Sequence, residues 1–466
     1  MVSLSAWIRH PRRWVFVVSP ILGLFLVYHL LQTRPNAFVD SLPIAGEQEE
    51  EAVSSFSPAP DSDNSSTPAI TTEATSCNYI HGMEDILVVM KTGVTEVREK
   101  VPVHINTTLK CVPHYVIFSD YEEEIAGVRT YDVLRSVSNE TKQANLDFGI
   151  YNRLHDQGRE GLLAADWRDE ANGPFGKPGN PGWKLDKWKF VPMMDEALQV
   201  RPNAKWYVFI EADSYMVWPN LVAWLSRLDH KKPYYLGAPM QIGNILFAYG
   251  GSGIILSNPA MQMVSKHRAG QSTELEKFTA DNWAGDCVLG KVLHDAGVRL
   301  LWSWPMLQTA RVWELDHFAE GYGRKPWCYP AISYHHMDTQ DIEVMWHFDQ
   351  EWFGDGKNSL LLHGDVFKRL ILNETSNEHD NWDNLSSENA NEQHKDLVFQ
   401  SADDCAKHCV QNSDCLQFSF DSGKCLTSKT VIRGVNHATM HSGWMTKRIH
   451  MILKKMNSCP KVEYIT

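Results

Sequence analysis

Apolar and polar positions divide the chain into stretches of unlike character. Trp14 to Leu31 is an 18-residue run without a formal charge, which as a helix would span about 27 Å. That length predicts a membrane anchor suited to a thin bilayer of the early secretory pathway. Arg9, Arg12 and Arg13 precede it, and Glu47, Glu49, Glu50 and Glu51 follow, an order that places the N-terminus in the cytoplasm and the remainder in the lumen. A cleaved signal peptide is the alternative, but the run exceeds a usual h-region and no clear small-x-small site follows. Residues 1–13 then form a cytoplasmic tail and 14–31 a single-pass, type II signal anchor.

Residues 32–76 read as a stem. Within 51–76 stand 11 Ser or Thr together with Pro58, Pro60 and Pro68, a composition that cannot bury enough apolar area to repay the entropy of folding. Such a segment is extended and a candidate for O-glycosylation. From Cys77 onward apolar strands alternate with amphipathic segments, which predicts an α/β domain over 77–350. Ile86 to Met90, Tyr115 to Phe118, Tyr207 to Ile210 and Gly253 to Leu256 are its clearest strands. Glycine and proline punctuate Gly173 to Gly182, a surface loop of the kind that often carries binding function. Residues 351–395 are assigned to a linker, since Asn373 to His394 is rich in Asn, Glu and Ser. Residues 396–466 form a small domain whose Cys405, Cys409, Cys415 and Cys425 follow the spacing C-x3-C-x5-C-x9-C.

Composition narrows the function. The 466 residues hold 44 Lys and Arg against 57 Asp and Glu, a formal charge of −13. Nucleic acid is excluded as a partner by the lack of concentrated cationic surface. The nine cysteines all follow the anchor, as do the sequons at Asn64, Asn106, Asn139, Asn373 and Asn384. A luminal location would pair most of the cysteines, and the odd count leaves at least one over.

Candidate chemistry lies where a buried strand ends in acid. Trp206 to Ile210 delivers Glu211 and Asp213 at its C-terminal end, where open α/β sheets bind ligands. Both carboxylates can face one hard cation such as magnesium or manganese, with positions left open for a diphosphate. A solvated loop after a strand is the plain alternative. Further on, Val288, Leu289, Val292 and Leu293 recur at helical spacing after Asp286. This puts Asp286 near a helix N-terminus, where the dipole favours its ionised form and it could act as a general base. It could equally be an N-cap without chemistry. Gly250, Gly251 and Gly253 permit a close backbone approach to a ligand and also make ordinary turns.

Taken in order over roughly residues 83 to 340, these segments resemble glycosyltransferase family 31, the group of Fringe and the core 1 β1,3-galactosyltransferase. Ile86 to Thr92 and Val116 to Asp120 are similar to the first two strands of that family. Trp206 to Met216 resembles the strand carrying its Asp-Asp-Asp motif, with Asp213 on the third aspartate. Gly250 to Gly253 falls on its Gly-Gly-Ala-Gly stretch, Asp286 to Gly290 on the segment of the catalytic base, and Ser333 to Asp338 on the segment that supplies a metal-binding histidine. The resemblance implies a GT-A fold that binds a UDP-sugar through Mn2+ and inverts the anomeric centre. It implies Asp213, His335 and Glu211 at the metal, Asp286 as base, and Lys91, Asp120, Gly250 and Gly251 near donor or acceptor. The chain departs from the pattern at Ala212, where the family has an acid.

The C-terminal cysteine cluster, with Gly443-Trp444, resembles a PAN/apple module, a helix tied to a strand by disulfides. Zinc is the other use of four cysteines, but paired C-x2-C knuckles are missing. The expected function is therefore an inverting, metal-dependent transferase of a hexosyl or N-acetylhexosaminyl group from a UDP-sugar to a glycan or glycoprotein, forming a β1,3 linkage in the Golgi or ER membrane. The reading from a different class is a luminal glycan-binding protein without turnover that uses the PAN/apple-like module. A glycoside hydrolase using Asp213 and Asp286 as its carboxylate pair is a distant third.

Overall fold

The computed structural model describes residues 77–168, 176–375, 378–393, 397–456 and 459–466. The expected tail, anchor and stem lie outside these. No helix among the described residues is long and apolar enough to cross a membrane.

The strands, in chain order, are β1 (Ile86–Lys91), β2 (Tyr115–Ser119), β3 (Glu123–Ile125), β4 (Val128–Asp132), β5 (Trp206–Glu211), β6 (Tyr215–Met216), β7 (Tyr235–Gly237), β8 (Pro239–Ile242), β9 (Ile245–Ala248), β10 (Ile254–Ser257), β11 (Leu300–Trp302) and β12 (Ser333–Tyr334). Eight of them form one mixed sheet in the order β11-β7-β10-β5-β1-β2-β4-β3. At its centre β1 runs parallel to β2 on one side and to β5 on the other. All six residues of β1 are buried because both sheet faces are covered, which explains its unbroken apolar run. Leu87 and Val89 join Phe118, Tyr207 and Phe209 in one apolar cluster. Ile86, Val88 and Met90 join Ile117, Val208 and Ile210 in another. Each such side chain contributes about 1.5–3 kcal/mol by burial, so these three strands anchor the apolar layers on both faces of the sheet.

The chain leaves β1 toward β2 and returns as β5 on the opposite side, and such a reversal of order opens a crevice at the C-terminal strand ends. Lys91 and Glu211, paired in register, stand at that crevice. Helices used below are α1 (Val97–Asn106), α2 (Pro181–Asp186), α3 (Gly285–Asp295), α4 (Thr339–Phe353), α5 (Ala402–Gln411) and α6 (Thr446–Met456). Part of the expected 173–182 loop is thus helical. Pro181 opens α2 at its first position, and the Asn180 side chain caps it by accepting from the Trp183 N–H.

The C-terminal part is a five-stranded antiparallel sheet made of β13 (His379–Asp383), β14 (Glu388–Asn389), β15 (Gln417–Asp421), β16 (Lys424–Ser428) and β17 (Val435–Trp444), ordered β13-β17-β15-β16-β14. β13 and β14 correct the expected linker. Their polar residues are at or near the sheet edges with little to bury, so no apolar alternation marks them. Nor is this part set apart, because Leu416, Val431, Trp444 and Ile449 share an apolar cluster with Trp346, Phe348 and Phe353 of α4. Disulfides join Cys405 of α5 to Cys425 of β16 and Cys409 to Cys415. Two more join Cys77 to Cys111 and Cys328 to Cys459, leaving Cys287 as a buried free thiol. Of the described sequons Asn106, Asn139 and Asn373 are exposed. Asn384 is buried, its amide donating to the Phe418 carbonyl at 2.9 Å, so it does not accept a glycan once folded.

One buried carboxyl generates a stability prediction. Asp349 of α4 accepts from the Tyr215 hydroxyl at 2.7 Å, and its other oxygen has no hydrogen-bond partner among the described residues. Burial lifts its pKa to about 8 against the opposing effect of the Tyr215 bond, so the native state holds a proton that the unfolded chain releases near pH 4. Its contribution is full below the unfolded value and is lost as pH rises toward 8, at up to about 1.4 kcal/mol per pH unit. Asp349→Asn is expected to flatten this limb, with a higher Tm than the parent at pH 8–9 and little change at pH 5, read by thermal denaturation across pH.

Candidate active site

The crevice opens into a cavity of about 600 Å³, lined among others by Lys91, Asp186, Glu211, Asp213, Asp286 and His335. Asp213 sits in the turn after β5. It is brought to His335 because β6 pairs with β12, Tyr215 opposite Tyr334 and Met216 opposite Ser333. The Met337 N–H donates to the Asp213 carbonyl at 2.8 Å, locking the two turns together. His335 Nε2 is 3.3 Å from Asp213 Oδ1 and 3.9 Å from Glu211 Oε2, and His336 Nδ1 is 4.0 Å from Asp213 Oδ2. Asp213, His335 and His336 can each turn one ligand atom toward a common point.

This differs from the expected ligand set. The neighbouring histidine joins, whereas Glu211 turns its other oxygen to Lys91 Nζ at 3.3 Å. His336 adopts φ +59, a left-handed conformation costing about 1–2 kcal/mol outside glycine. It is held there by the Met337 bond and by Arg311, which pairs with both Asp338 and Asp341 at the start of α4. The two histidine rings lie 3.8 Å apart between centroids, tilted by 32°. Ala212 faces away from the cavity. It is 1% exposed and belongs to the apolar cluster of Ile210 and Met216, while its carbonyl meets buried His104 Nε2 at 2.9 Å. An acid at 212 would enter that core rather than reach the ion site.

The cationic groups explain how so many acids coexist. Lys91 pairs with Asp186 as well as Glu211. Lys100 of α1 lies 2.8 Å from Glu96 and 3.7 Å from Asp213. Lys189, 1% exposed, bridges Asp120 at 3.1 Å and Asp186 at 3.3 Å. Asp120 is therefore below the cavity and does not line it, and its second oxygen accepts from the Val94 N–H at 2.8 Å. Burial alone would raise Asp213, but the His335, Lys100 and His336 charges hold it far below the usual carboxylate range. Burial opposes a charged His335, and Asp213 overrides it to raise the imidazole pKa.

Asp286 has a different environment. It occupies the first turn of α3 but is not the cap, since the N-cap is Ala284. Its Oδ2 accepts from the Gly250 N–H at 2.9 Å and its Oδ1 from the Cys287 N–H at 2.8 Å. Burial outweighs these two bonds and raises its pKa, the reverse of what the helix dipole alone predicts. Gly250 thus acts on Asp286 through its N–H and does not line the cavity. Gly251 lies against the metal-binding candidate, because a Cβ there would sit 2.1 Å from His335 Nε2. Asp186, Lys100 and Lys189 were not singled out from sequence. Charged residues at 186, 187 and 189 amid the apolar Leu185, Trp188 and Phe190 are the signal that marks this segment.

The donor set, one carboxylate and two imidazoles with no thiolate, is one that can hold a divalent cation. Gly251→Ala is expected to push the His335 ring from Asp213 and weaken divalent-cation binding at this group at least tenfold by calorimetry, with the thermal transition in chelator nearly unchanged.

No curated protein matches this chain. Residues 186–351 match the family model described as Fringe-like, a span that holds Asp186, Glu211, Asp213, Gly250, Gly251, Asp286, His335 and His336 but not Lys91 or Asp120. The segment that carries most of the site is thus similar to that family, and this likeness supports a glycosyltransferase.

Proposed function

We propose that the chain is an inverting transferase that moves a hexosyl or N-acetylhexosaminyl group from a UDP-sugar to a hydroxyl of a glycan or glycoprotein, forming a β1,3 linkage. The observation that carries this reading is the meeting, in one cavity, of an ion-binding group at Asp213, His335 and His336 with a separately anchored carboxylate at Asp286. Asp213 and the two histidines would hold Mn2+, which when bound supplies positive charge to a departing diphosphate. Asp286, fixed by the Gly250 and Cys287 amides, takes the proton from the acceptor hydroxyl as that oxygen bonds to the anomeric carbon and the carbon–phosphate-oxygen bond breaks. Lys91, between Asp186 and Glu211, orients those acids and adds charge near the nucleotide. The reading extends to a type II anchor at 14–31 in the Golgi or ER membrane, a compartment that suits four disulfides. It also takes residues 396–466, joined in one sheet by β13 and β14, as a PAN/apple-like module.

The full chain in detergent, screened for hydrolysis of UDP-sugars with Mn2+ or with chelator, is expected to turn over one donor slowly and only with the ion. Asp286→Asn should lower transfer by about 10²–10⁴ with the UDP Kd unchanged. Since a protonated Asp286 cannot accept, kcat/KM should fall toward acid pH with a midpoint above the ordinary aspartate value of about 3.9. Full activity of Asp286→Asn overturns the assignment. Glycan binding without Mn2+ that survives Asp213→Ala, in a chain that turns over no donor, would favour the non-catalytic alternative.

A further inference from the structure

Three aromatic rings gather on the surface beside β11, the strand at one edge of the main sheet. Trp302, its last residue, is 38% exposed and Tyr322 is 58% exposed. The Tyr322 ring stands edge-on to Trp302 at 5.2 Å and to Trp304 at 5.8 Å. The turn that presents Tyr322 is firmly made. Gly321 and Arg324 exchange both backbone hydrogen bonds, at 3.0 and 2.9 Å, around Tyr322 at φ +53 and Gly323 at φ +70. Two successive positive φ values are the pattern of a type I′ turn, whose first position favours Asn, Asp or Gly. Tyrosine there works against the backbone, and strain of this kind collects where a side chain is held for binding. Arg324 braces the arrangement by donating to the Trp302 and Trp304 carbonyls at 2.8 and 2.7 Å. The Gly321 backbone lies against the Trp304 ring, where a Cβ would come within 3.1 Å.

We propose that Trp302 and Tyr322, backed by Trp304, form a sugar-holding platform outside the cavity, and that its occupant is a neutral pyranose farther along the acceptor glycan whose reacting end enters the cavity. The acceptor part of this inference rests on the transferase reading; the platform itself does not. Exposed aromatic faces bury the apolar face of a pyranose while leaving its hydroxyls to polar neighbours. Glu320 and Lys325, paired at 3.4 Å and both exposed, stand on either side of the turn as such neighbours. They carry one charge of each sign, and Arg324 is turned to backbone carbonyls, so nothing at the platform selects an acidic chain. Continuity with the cavity supports the same occupant. Trp302 pairs with Gly237 of β7, and β8, which begins two residues later, carries Met240, Gln241 and Ile242 into the cavity wall.

The test titrates the full chain in detergent with neutral β-linked hexasaccharides: β1,3-glucan, β1,4-glucan, β1,4-linked N-acetylglucosamine and repeating N-acetyllactosamine. Binding is read by calorimetry and tryptophan fluorescence. At least one hexasaccharide is expected to bind, and Trp302→Ala and Tyr322→Asn to weaken it tenfold or more while the UDP Kd holds. Because asparagine suits the turn, Tyr322→Asn should keep or raise the Tm, so a loss of binding cannot be ascribed to misfolding. In transfer assays the same variants should raise KM for the long acceptor with kcat unchanged. Absence of binding by every hexasaccharide, or variants that bind as tightly as the parent, overturns the platform. Platform-dependent binding in a chain that turns over no donor would sink the transferase reading alone, whereas transfer with an unaltered KM in both variants would sink this inference alone.

Discussion

Carboxylates gathered at the mouth of a mixed sheet must be compensated, because buried like charges would otherwise take up protons or unfold the site. Asp186, Glu211, Asp213 and Asp286 line one cavity, and the surrounding structure is arranged around that constraint. Lys91 lies between Asp186 and Glu211, Lys189 between Asp186 and Asp120, and Lys100 beside Asp213. Each lysine comes from a different element, so the charge balance also ties β1 and α1 to the end of β5, and the segment after α2 to Asp186 and Asp120. Removing one member would leave its partner buried and uncompensated, which costs more than the pair itself contributes.

The same constraint accounts for the short elements around the site. A two-residue pairing of β6 with β12 is too small to be stable alone, yet it carries His335 and His336 to Asp213. It is held by Asp341 and Asp338 gripping Arg311 on one side and by the Ser333 hydroxyl bonded to the Ser252 carbonyl at 2.5 Å on the other. The glycines at 250 and 251 work by what they lack and by their backbone. Gly251 leaves room for the His335 ring, and Gly250 offers the N–H that holds Asp286.

Much of this was legible in the sequence, for a physical reason. Central strands buried on both faces must be apolar throughout, so β1, β2, β5 and β10 stand out, and an acid directly after such a strand marks the sheet's open end. The ladder that places His335 beside Asp213 spans more than a hundred residues of chain, so spacing could not choose between His335 and His336 or show that Glu211 faces Lys91. Edge strands are illegible for the opposite reason. β13 and β14 bury little and draw stability from β17 and β16, so Asn- and Ser-rich sequence there reads as linker. Asn384 shows the same limit, since a sequon triplet carries no information about whether its amide is needed inside the fold.

The two acids that matter most are told apart by what surrounds them rather than by their identity. Asp213 faces His335, His336 and Lys100, and their charges hold it ionised well below the ordinary carboxylate range, as a ligand to a cation requires. Asp286 has backbone amides for partners and only the more distant Lys91 as a favourable charge, and burial raises its pKa. A carboxylate that is too acidic makes a poor proton acceptor, and efficiency improves as its pKa approaches the working pH. Environments that drive two neighbouring carboxylates in opposite directions suit them to the opposite tasks proposed for them. Moving a lysine next to Asp286 would therefore impair it as a base without altering its position, whereas removing Lys100 or His335 from Asp213 would weaken its preference for the charged form. The proposed division between ion holder and proton acceptor thus rests on where the cations are placed, Lys100 beside Asp213 and none in a salt bridge to Asp286 among the described residues.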